Sequence, residues 1–300
     1  PWDPPAADRA TVGGILASGE PGFRRAPGAR PRDLLLGFQA LLADGTQVAA
    51  GGRVVKNVSG YELMKLMVGS RGTLAFLTRV HLRVRPLPET ILTVAASFDS
   101  PQRLATGLSS VRSGVAPPEV VAVIDPTTAA SLSLAGWVLL LRFEGIDEEA
   151  SEGCRKAEAL LRADDVARLE GPQADEVWHR LRDFPSPSSG SESECVVLGQ
   201  ALPSDTMRLV EAWQPQGSVV AYPEKGRIYT KTDEPKGYLH RLETARALSG
   251  NAVLESGPPA LKSQLDVFGE TPRGFDLMKR IKERMDPSTI LSPGRFVGRL

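Results

Sequence analysis

Histidine and cysteine are scarce in this chain of 300 residues, which holds three histidines and two cysteines. His81, His179 and His240 show no H-x-x-H or H-E-x-x-H spacing, so the sequence predicts no metal site. Cys154 and Cys195 lack CxxC spacing and are interpreted as buried apolar residues rather than as a disulfide. The scarcity argues against a metal centre and favours the reducing cytoplasm.

An excess of charge of either sign is also absent, because 36 Lys and Arg residues balance 36 Asp and Glu residues. This balance gives no electrostatic reason to expect nucleic acid as a partner. No apolar run has the length of a membrane span, and the absence of G-x-S-x-G, Walker and Rossmann motifs disfavours hydrolases, NTPases and nicotinamide-dependent enzymes. A chain of this length and ordinary composition predicts a globular protein of two domains.

The stretch from Gly51 to Pro88 is the richest in motifs. Its two Gly-containing loops, at residues 57–60 and 69–73, allow the backbone to turn tightly and to approach a ligand. From the residues alone, two interpretations stay open: turns in an ordinary sheet, or loops that cradle phosphate. The strand that follows shows period-2 alternation, which predicts one face with Phe76, Thr78, Val80, Leu82 and Val84 and another with Arg79, His81, Arg83 and Arg85.

Three segments in order resemble the PCMH-type FAD-binding fold of the vanillyl-alcohol-oxidase-like FAD-linked oxidases, and within it the FAD-binding subunits of glycolate oxidases (GlcE). They read DPPAADRATVGGILASGEPGFRR near the start, KNVSGYELMKLMVGSRGTL in the motif-rich stretch, and MDPSTILSPGR near the end. The last departs from the family pattern, because Ser292 stands where the family has Asn. Relative to that family, we expect the N-terminal FAD subdomain to be missing from this sequence.

The resemblance implies an α+β fold, with the second half of a PCMH-type FAD-binding domain followed by a ferredoxin-like α+β cap domain. We place these domains at residues 1–89 and 90–300, with the tail returning to the flavin domain. Periodicity separately supports the second assignment, because strands and helices alternate twice as β-α-β-β-α-β between Ile91 and Glu255. Two such units can share one sheet.

The resemblance also implies FAD as the cofactor and an FAD-dependent oxidoreductase that acts on the CH–OH group of 2-hydroxy acids. It implies oxidation of glycolate, or a related 2-hydroxy acid, to the 2-oxo acid, with hydride transfer to the flavin. Companion flavoprotein and iron–sulfur subunits of a glycolate oxidase complex are the implied partners. No catalytic base is assigned. The residues expected to face the cofactor are Thr11, Gly13, Gly14, Gly19, Asn57, Gly60, Tyr61, Gly72 and Thr73.

A non-catalytic assembly or electron-transfer subunit, which keeps the fold in order to dock its partners, is the alternative. Ser292 and the lack of the histidine motif that the family's partner subunit carries favour this alternative, whereas the intact Gly-rich loops favour the flavoprotein. The expected location is cytoplasmic, with peripheral attachment at the inner membrane through partner subunits left open.

Overall fold

A computed structural model of the chain describes residues 2–24, 30–52, 63–114, 117–188, 191–233, 237–248 and 250–300. The helices are α1 (Val12–Ser18), α2 (Pro31–Leu34), α3 (Leu63–Met67), α4 (Pro101–Gly114), α5 (Pro126–Ser131), α6 (Asp147–Leu160), α7 (Gly171–Asp183), α8 (Thr206–Trp213), α9 (Gly237–Ala247), α10 (Pro259–Gln264) and α11 (Phe275–Met285). The strands are β1 (Leu35–Leu41), β2 (Gln47–Gly51), β3 (Phe76–Leu82), β4 (Thr90–Phe98), β5 (Val120–Ile124), β6 (Trp137–Gly145), β7 (Asp165–Leu169), β8 (Cys195–Gln200), β9 (Ser218–Tyr222), β10 (Arg227–Thr232) and β11 (Asn251–Ser256). None of the helices in the described ranges is long and apolar enough to cross a membrane.

The chain divides into two compact units. The first consists of Pro1–Pro86 together with Leu265–Leu300, and the second of Leu87–Gln264. The C-terminal segment is therefore part of the same unit as the N-terminal residues. The assignment of the domains at residues 1–89 and 90–300 stays a prediction.

The first unit contains an antiparallel sheet of three strands in the order β2-β1-β3. One face of this sheet is apolar, and its buried residues Phe38 and Ala40 on β1 form a cluster with Met67 of α3. Ile281 and Met285 of α11 pack against the same cluster. The C-terminal helix therefore helps to bury the core that the N-terminal residues begin.

The predicted division of β3 into two faces is wrong at its start. Phe76 is 65% exposed, whereas Leu77 packs against the core together with Val80. The register explains the change, because Gln39 of β1 pairs with Arg79 but the next residue, Ala40, pairs with Leu77. One residue is skipped at this irregularity, so the side chains before it exchange faces.

The second unit contains one sheet of eight strands in the order β11-β8-β10-β9-β5-β6-β4-β7. In each half the strand order is fourth, first, third, second, the order of a ferredoxin-like β-α-β-β-α-β unit. The expectation that two such units share one sheet is confirmed. The α+β class expected from the sequence is confirmed as well.

The two halves of this sheet meet at β5 and β9, where Val123 pairs with Ala221 and Ile124 with Val220. Asp125 extends this junction, because its amide donates to the carbonyl of Val219 at 3.2 Å and its carboxylate accepts from the Val219 amide at 2.9 Å. The same fully buried carboxylate is the N-cap of α5. One side chain therefore both joins the halves and begins a helix.

Candidate functional site

The loop of residues 69–73, called the Gly69 loop below, lies against the end of α1 in the first unit. The amide of Gly69 donates to the carbonyl of Leu16 at 2.9 Å. Gly19 ends α1 with φ 70°, and a Cβ at this position would lie 3.2 Å from the Cα of Gly69. Such an approach of two backbones at a left-handed residue favours glycine. Two of the segments predicted to contact the cofactor are therefore close in space.

The glycine-rich sequence TVGG forms the start of α1. Thr11 is its N-cap, and the Thr11 hydroxyl oxygen accepts a hydrogen bond from the amide of Gly14 at 3.0 Å. A Cβ at Gly13 would meet nothing within 4 Å, whereas one at Gly14 would lie 3.1 Å from the Thr11 oxygen. The backbone at Gly13 therefore borders open space, and Thr11 uses its hydroxyl to begin the helix.

Thr73, at the end of the Gly69 loop, is buried and uses its own polar groups inside the protein. Its hydroxyl donates to the carbonyl of Ser70 at 2.7 Å, and its amide donates to the same carbonyl at 3.0 Å. Thr73 therefore fixes the shape of the loop, and its hydroxyl proton is not available to a ligand. Asn57, Gly60 and Tyr61, which the sequence also predicts as cofactor contacts, lie outside the described residues.

Gly72 is the member of the Gly69 loop whose backbone remains available. Its φ is 73°, in the left-handed region that favours glycine. Among the residues that the structure describes, none accepts a hydrogen bond from the Gly72 amide. A Cβ here would stand 3.3 Å from the hydroxyl oxygen of Ser292, so the C-terminal segment lies beside the loop.

A buried ion pair, Lys282 with Asp286, joins the Gly69 loop to the C-terminal segment. The Lys282 ammonium donates to the Thr73 carbonyl at 2.8 Å, to the Leu291 carbonyl at 3.0 Å and to Asp286 Oδ2. The Asp286 carboxylate also accepts from the amides of Ile290 at 3.1 Å and Leu291 at 2.8 Å. Lys282 is 5% exposed and Asp286 is 1% exposed. All three donors of the ammonium are therefore used, each on a different segment or side chain.

The pKa of Asp286 reflects this arrangement. Burial alone would raise the pKa of the carboxyl group, because it disfavours the charged form. The hydrogen bonds from Lys282, Leu291 and Ile290, together with the ammonium charge, outweigh burial and hold the pKa below its usual range. Asp286 is therefore an anion at neutral pH and forms a true ion pair with Lys282.

Sequence reasoning missed Lys282 and Asp286, although a signal was present. Lys282 falls on the apolar stripe of α11 with Met278, Ile281 and Met285, at the helical spacing of three and four residues. A lysine in such a stripe is an exception to the surface location that its residue type favours. Asp286 follows four residues later, at the spacing of a helical ion pair.

A cleft of about 170 Å³ in the first unit is lined in part by Lys282 and by Gly69, Ser70 and Thr73 of the Gly69 loop. Its lining is largely apolar and includes Leu66, Met278, Ile281 and Phe296, with Lys282 at its wall. Pockets that hold drug-sized ligands have volumes of about 300–1,000 Å³. The cleft is therefore too small to enclose a dinucleotide cofactor. Within the described ranges, no group of three or more His, Cys, Asp or Glu side chains could hold a metal ion.

The Gly69 loop and the start of α1 fit the flavin that the resemblance implies. A Cβ at Gly13 or at Gly69 would meet no atom within 4 Å, so a flat ring or a phosphate can reach the backbone at both residues. The Gly72 amide has no acceptor in the described part of the chain, so it can serve as a donor to a ligand. Backbone amides of this kind commonly bind phosphate or polar ring edges.

Comparisons with known proteins extend over the whole chain. The family model described as FAD linked oxidases, C-terminal domain, matches residues 268–296, the segment that carries Lys282 and Asp286. The D-lactate dehydrogenase of Archaeoglobus fulgidus is 28% identical, and the match covers 99% of this chain and 72% of that protein. The glycolate oxidase subunit GlcE of Escherichia coli is also 28% identical, with 100% of this chain and 76% of that protein covered.

The fold is shared with solved structures. The 4-ethylphenol oxidase from Gulosibacter chungangensis aligns with a TM-score of 0.65 at 14% identity, over 98% of this chain and 71% of that one. An alkyldihydroxyacetonephosphate synthase aligns with a TM-score of 0.63 at 16% identity, and this chain spans 58% of its length. Relatives that match the whole chain, the family model of its C-terminal segment and the shared fold agree: the chain is similar throughout to FAD-linked oxidases, and it is an oxidoreductase with FAD as its cofactor.

Proposed function

We propose that this chain is the FAD-binding subunit of a 2-hydroxy-acid oxidase or dehydrogenase of the glycolate oxidase type. In this proposal it oxidises glycolate to glyoxylate, or a closely related 2-hydroxy acid to its 2-oxo acid. The names of its relatives support the substrate class, because one is a D-lactate dehydrogenase and another is a glycolate oxidase subunit. Lactate and glycolate both carry a hydroxyl group on the carbon next to the carboxylate.

The observation that carries the proposal is the convergence of two distant segments, α1 and the C-terminal segment, on the Gly69 loop. The Gly69 amide of the loop donates to the Leu16 carbonyl at the end of α1. The Lys282 ammonium donates to the Thr73 carbonyl of the loop, and Ser292 lies beside Gly72. These are the regions in which the sequence resembles FAD-linked oxidases. Their convergence supports a common role in holding the cofactor.

Each of the proposed cofactor residues that the structure describes has a role that its local structure supports. Bound FAD supplies the two-electron acceptor that oxidation of the hydroxyl-bearing carbon requires. Gly13 borders open space, Gly14 allows the Thr11 cap, and the Gly72 amide has no acceptor among the described residues. Gly19 lets α1 approach the Gly69 loop. Thr11 and Thr73 hold the two backbones in shape, and Asn57, Gly60 and Tyr61 complete the proposed set from outside the described residues.

Partners belong to the proposal as well. The Escherichia coli relative is named as a subunit, which supports an assembly of several chains. We therefore expect a companion flavoprotein subunit and an iron–sulfur subunit to receive the electrons. A location in the cytoplasm, with any attachment to the inner membrane made through these partners, follows from the same proposal.

Replacing Gly72 by Ala in the full-length protein tests the cofactor site. Its matched control is Gly45→Ala, because Gly45 has φ 83° in the exposed turn between β1 and β2 and a Cβ there would meet nothing within 4 Å. Both variants suffer the same left-handed backbone penalty of about 1 kcal/mol. The Gly72→Ala methyl group also lies 3.3 Å from Ser292 Oγ, so its melting temperature should fall at least as far as that of the control. Only Gly72→Ala should weaken FAD binding. The dissociation constant should rise about tenfold, which corresponds to a loss of roughly 1.4 kcal/mol of binding free energy. FAD binding by Gly72→Ala that equals the control would contradict the proposed site.

Substrate oxidation separates the proposed enzyme from a non-catalytic subunit. The FAD-loaded protein is assayed with glycolate and with D-lactate, alone and with its companion subunits, by reduction of an artificial electron acceptor. We expect turnover of one of the two acids that is lost when the FAD is removed from this chain. Turnover by the complex that is unaffected when this chain lacks FAD would favour the non-catalytic alternative.

A further inference from the structure

The Gly69 loop is fixed from two sides by charged and backbone groups. On one side, its Arg71 amide donates to the carbonyl of Ala17 at 2.7 Å. On the other side, the Lys282 ammonium donates to the Thr73 carbonyl at 2.8 Å. Gly72 lies between these two anchors and has the backbone freedom of a glycine. The direction of its amide therefore depends on both anchors being in place.

Lys282 makes the anchor on the C-terminal side rigid as well as strong. Its ammonium has three donors, and the acceptors Thr73 O, Leu291 O and Asp286 Oδ2 use them all. Asp286 in turn holds the amides of Ile290 and Leu291. A flexible lysine that satisfies every donor in a buried site has one position, and the Thr73 carbonyl is fixed with it.

We propose that Lys282 is a positioning residue for FAD: through the Thr73 carbonyl it sets the direction of the Gly72 amide toward the cofactor. Asp286 is its orienting partner, because it holds the ammonium between the Gly69 loop and the C-terminal segment. The proposal deepens the proposed function and rests on the Gly69 loop being part of the FAD site. Lys282 itself does not touch the reacting atoms and is not a catalytic residue.

The test compares FAD affinity with thermal stability in the full-length protein. In Lys282→Met the apolar stem is kept and the ammonium is lost, so the Asp286 carboxylate stays buried without its cation and stability falls. The double variant Lys282→Met/Asp286→Asn removes both charges, and its melting temperature should recover toward that of the wild type. If the single variant does not fold, the double variant carries the test.

Both variants should bind FAD about tenfold more weakly than the wild type, because each lacks the charge-assisted bond to the Thr73 carbonyl. A shift of the long-wavelength flavin absorption band in both variants would show in addition that the Gly72 amide acts on the flavin ring, whereas an unchanged band would place its contact at the phosphates. Phe38→Leu is the matched control: it disturbs the core of the same unit from the sheet side, where Phe38 is 2% exposed. This control should lower the melting temperature and leave FAD affinity and the absorption band unchanged.

The outcomes separate this inference from the function on which it rests. A stable double variant that still binds FAD weakly supports the positioning role. A double variant that recovers FAD affinity together with stability overturns it, because the bond to Thr73 would then be dispensable. A Phe38→Leu variant that loses as much FAD affinity as Lys282→Met would also overturn it, since general loss of stability would explain both. A wild-type protein that binds no FAD would overturn the proposed function and this inference with it.

Discussion

Replacing Asp125 by Ala should destabilise the second unit by about 3 kcal/mol, of which about 1 kcal/mol is the lost N-cap of α5 and about 2 kcal/mol the unsatisfied amide of Val219. The carboxylate accepts hydrogen bonds from the amides of Thr127 at 3.1 Å, Thr128 at 3.2 Å and Val219 at 2.9 Å. The Thr128 hydroxyl also donates to it at 2.5 Å. Asp125 and Val219 are fully buried, so water cannot replace the lost acceptor. A loss of this size is a large part of the stability of an ordinary domain.

The matched control is Asp205→Ala. Asp205 is the N-cap residue of α8 in the same unit, but its side chain makes no capping hydrogen bond. Its contact is an exposed ion pair with Arg208, which contributes about 0.5 kcal/mol or less. The two substitutions therefore remove the same group from the same position of a helix. They differ in whether the carboxylate is bonded and buried.

Urea unfolding followed by tryptophan fluorescence measures the difference. Of the four tryptophans, Trp137, Trp178 and Trp213 are buried in the second unit, so the signal reports mainly on that unit. With a slope of about 2 kcal/mol per molar urea, Asp125→Ala should lower the unfolding midpoint by about 1.5 M. A midpoint for Asp125→Ala within experimental error of that for Asp205→Ala would refute the argument that this carboxylate joins the two halves.

Two further predictions concern titratable groups. Hydrogen bonds with Lys282, Leu291 and Ile290 lower the folded-state pKa of Asp286. The contribution of Asp286 to stability is therefore complete above its unfolded pKa of about 4, and it is lost as the pH falls through the lower folded pKa. The stability difference between the wild type and Asp286→Asn, measured by unfolding at pH 7 and at pH 3, should therefore shrink at the lower pH, and a difference that grows would contradict this. Burial raises the pKa of Cys154 to about 11. The native protein at pH 8 should therefore resist alkylation by iodoacetamide at Cys154, read out by mass spectrometry, and rapid labelling of the folded protein would contradict the prediction.

The helices and strands of the second unit could be predicted because their signals are local. Strands β5 and β9 begin and end where the sequence pattern between Ile91 and Glu255 predicts them, at Val120–Ile124 and Ser218–Tyr222. The repeated β-α-β-β-α-β order also predicts the shared sheet, in which both halves have the same strand order. Spacing along the chain is sufficient for these features.

Features that depend on pairing between distant segments could not be predicted in the same way. The irregular register between β1 and β3 exchanges Phe76 and Leu77 between faces, and no property of β3 alone encodes it. Lys282 was missed for a related reason, since a lysine reads as a surface residue until its acceptors on Thr73 and Leu291 are known. The glycines of the candidate site could be proposed from the sequence because the residue type itself determines the backbone freedom.

The short junction between β5 and β9 has a consequence for aggregation. The two strands read VVAVI and SVVAY, and each would be an apolar edge strand with unpaired backbone groups if its half of the sheet stood alone. Such edges can pair with the same strand of another molecule and begin an amyloid-like stack. Because both halves lie in one chain, β5 and β9 pair with each other, and neither strand is left as an exposed edge. The junction therefore protects against intermolecular strand pairing while it completes the sheet.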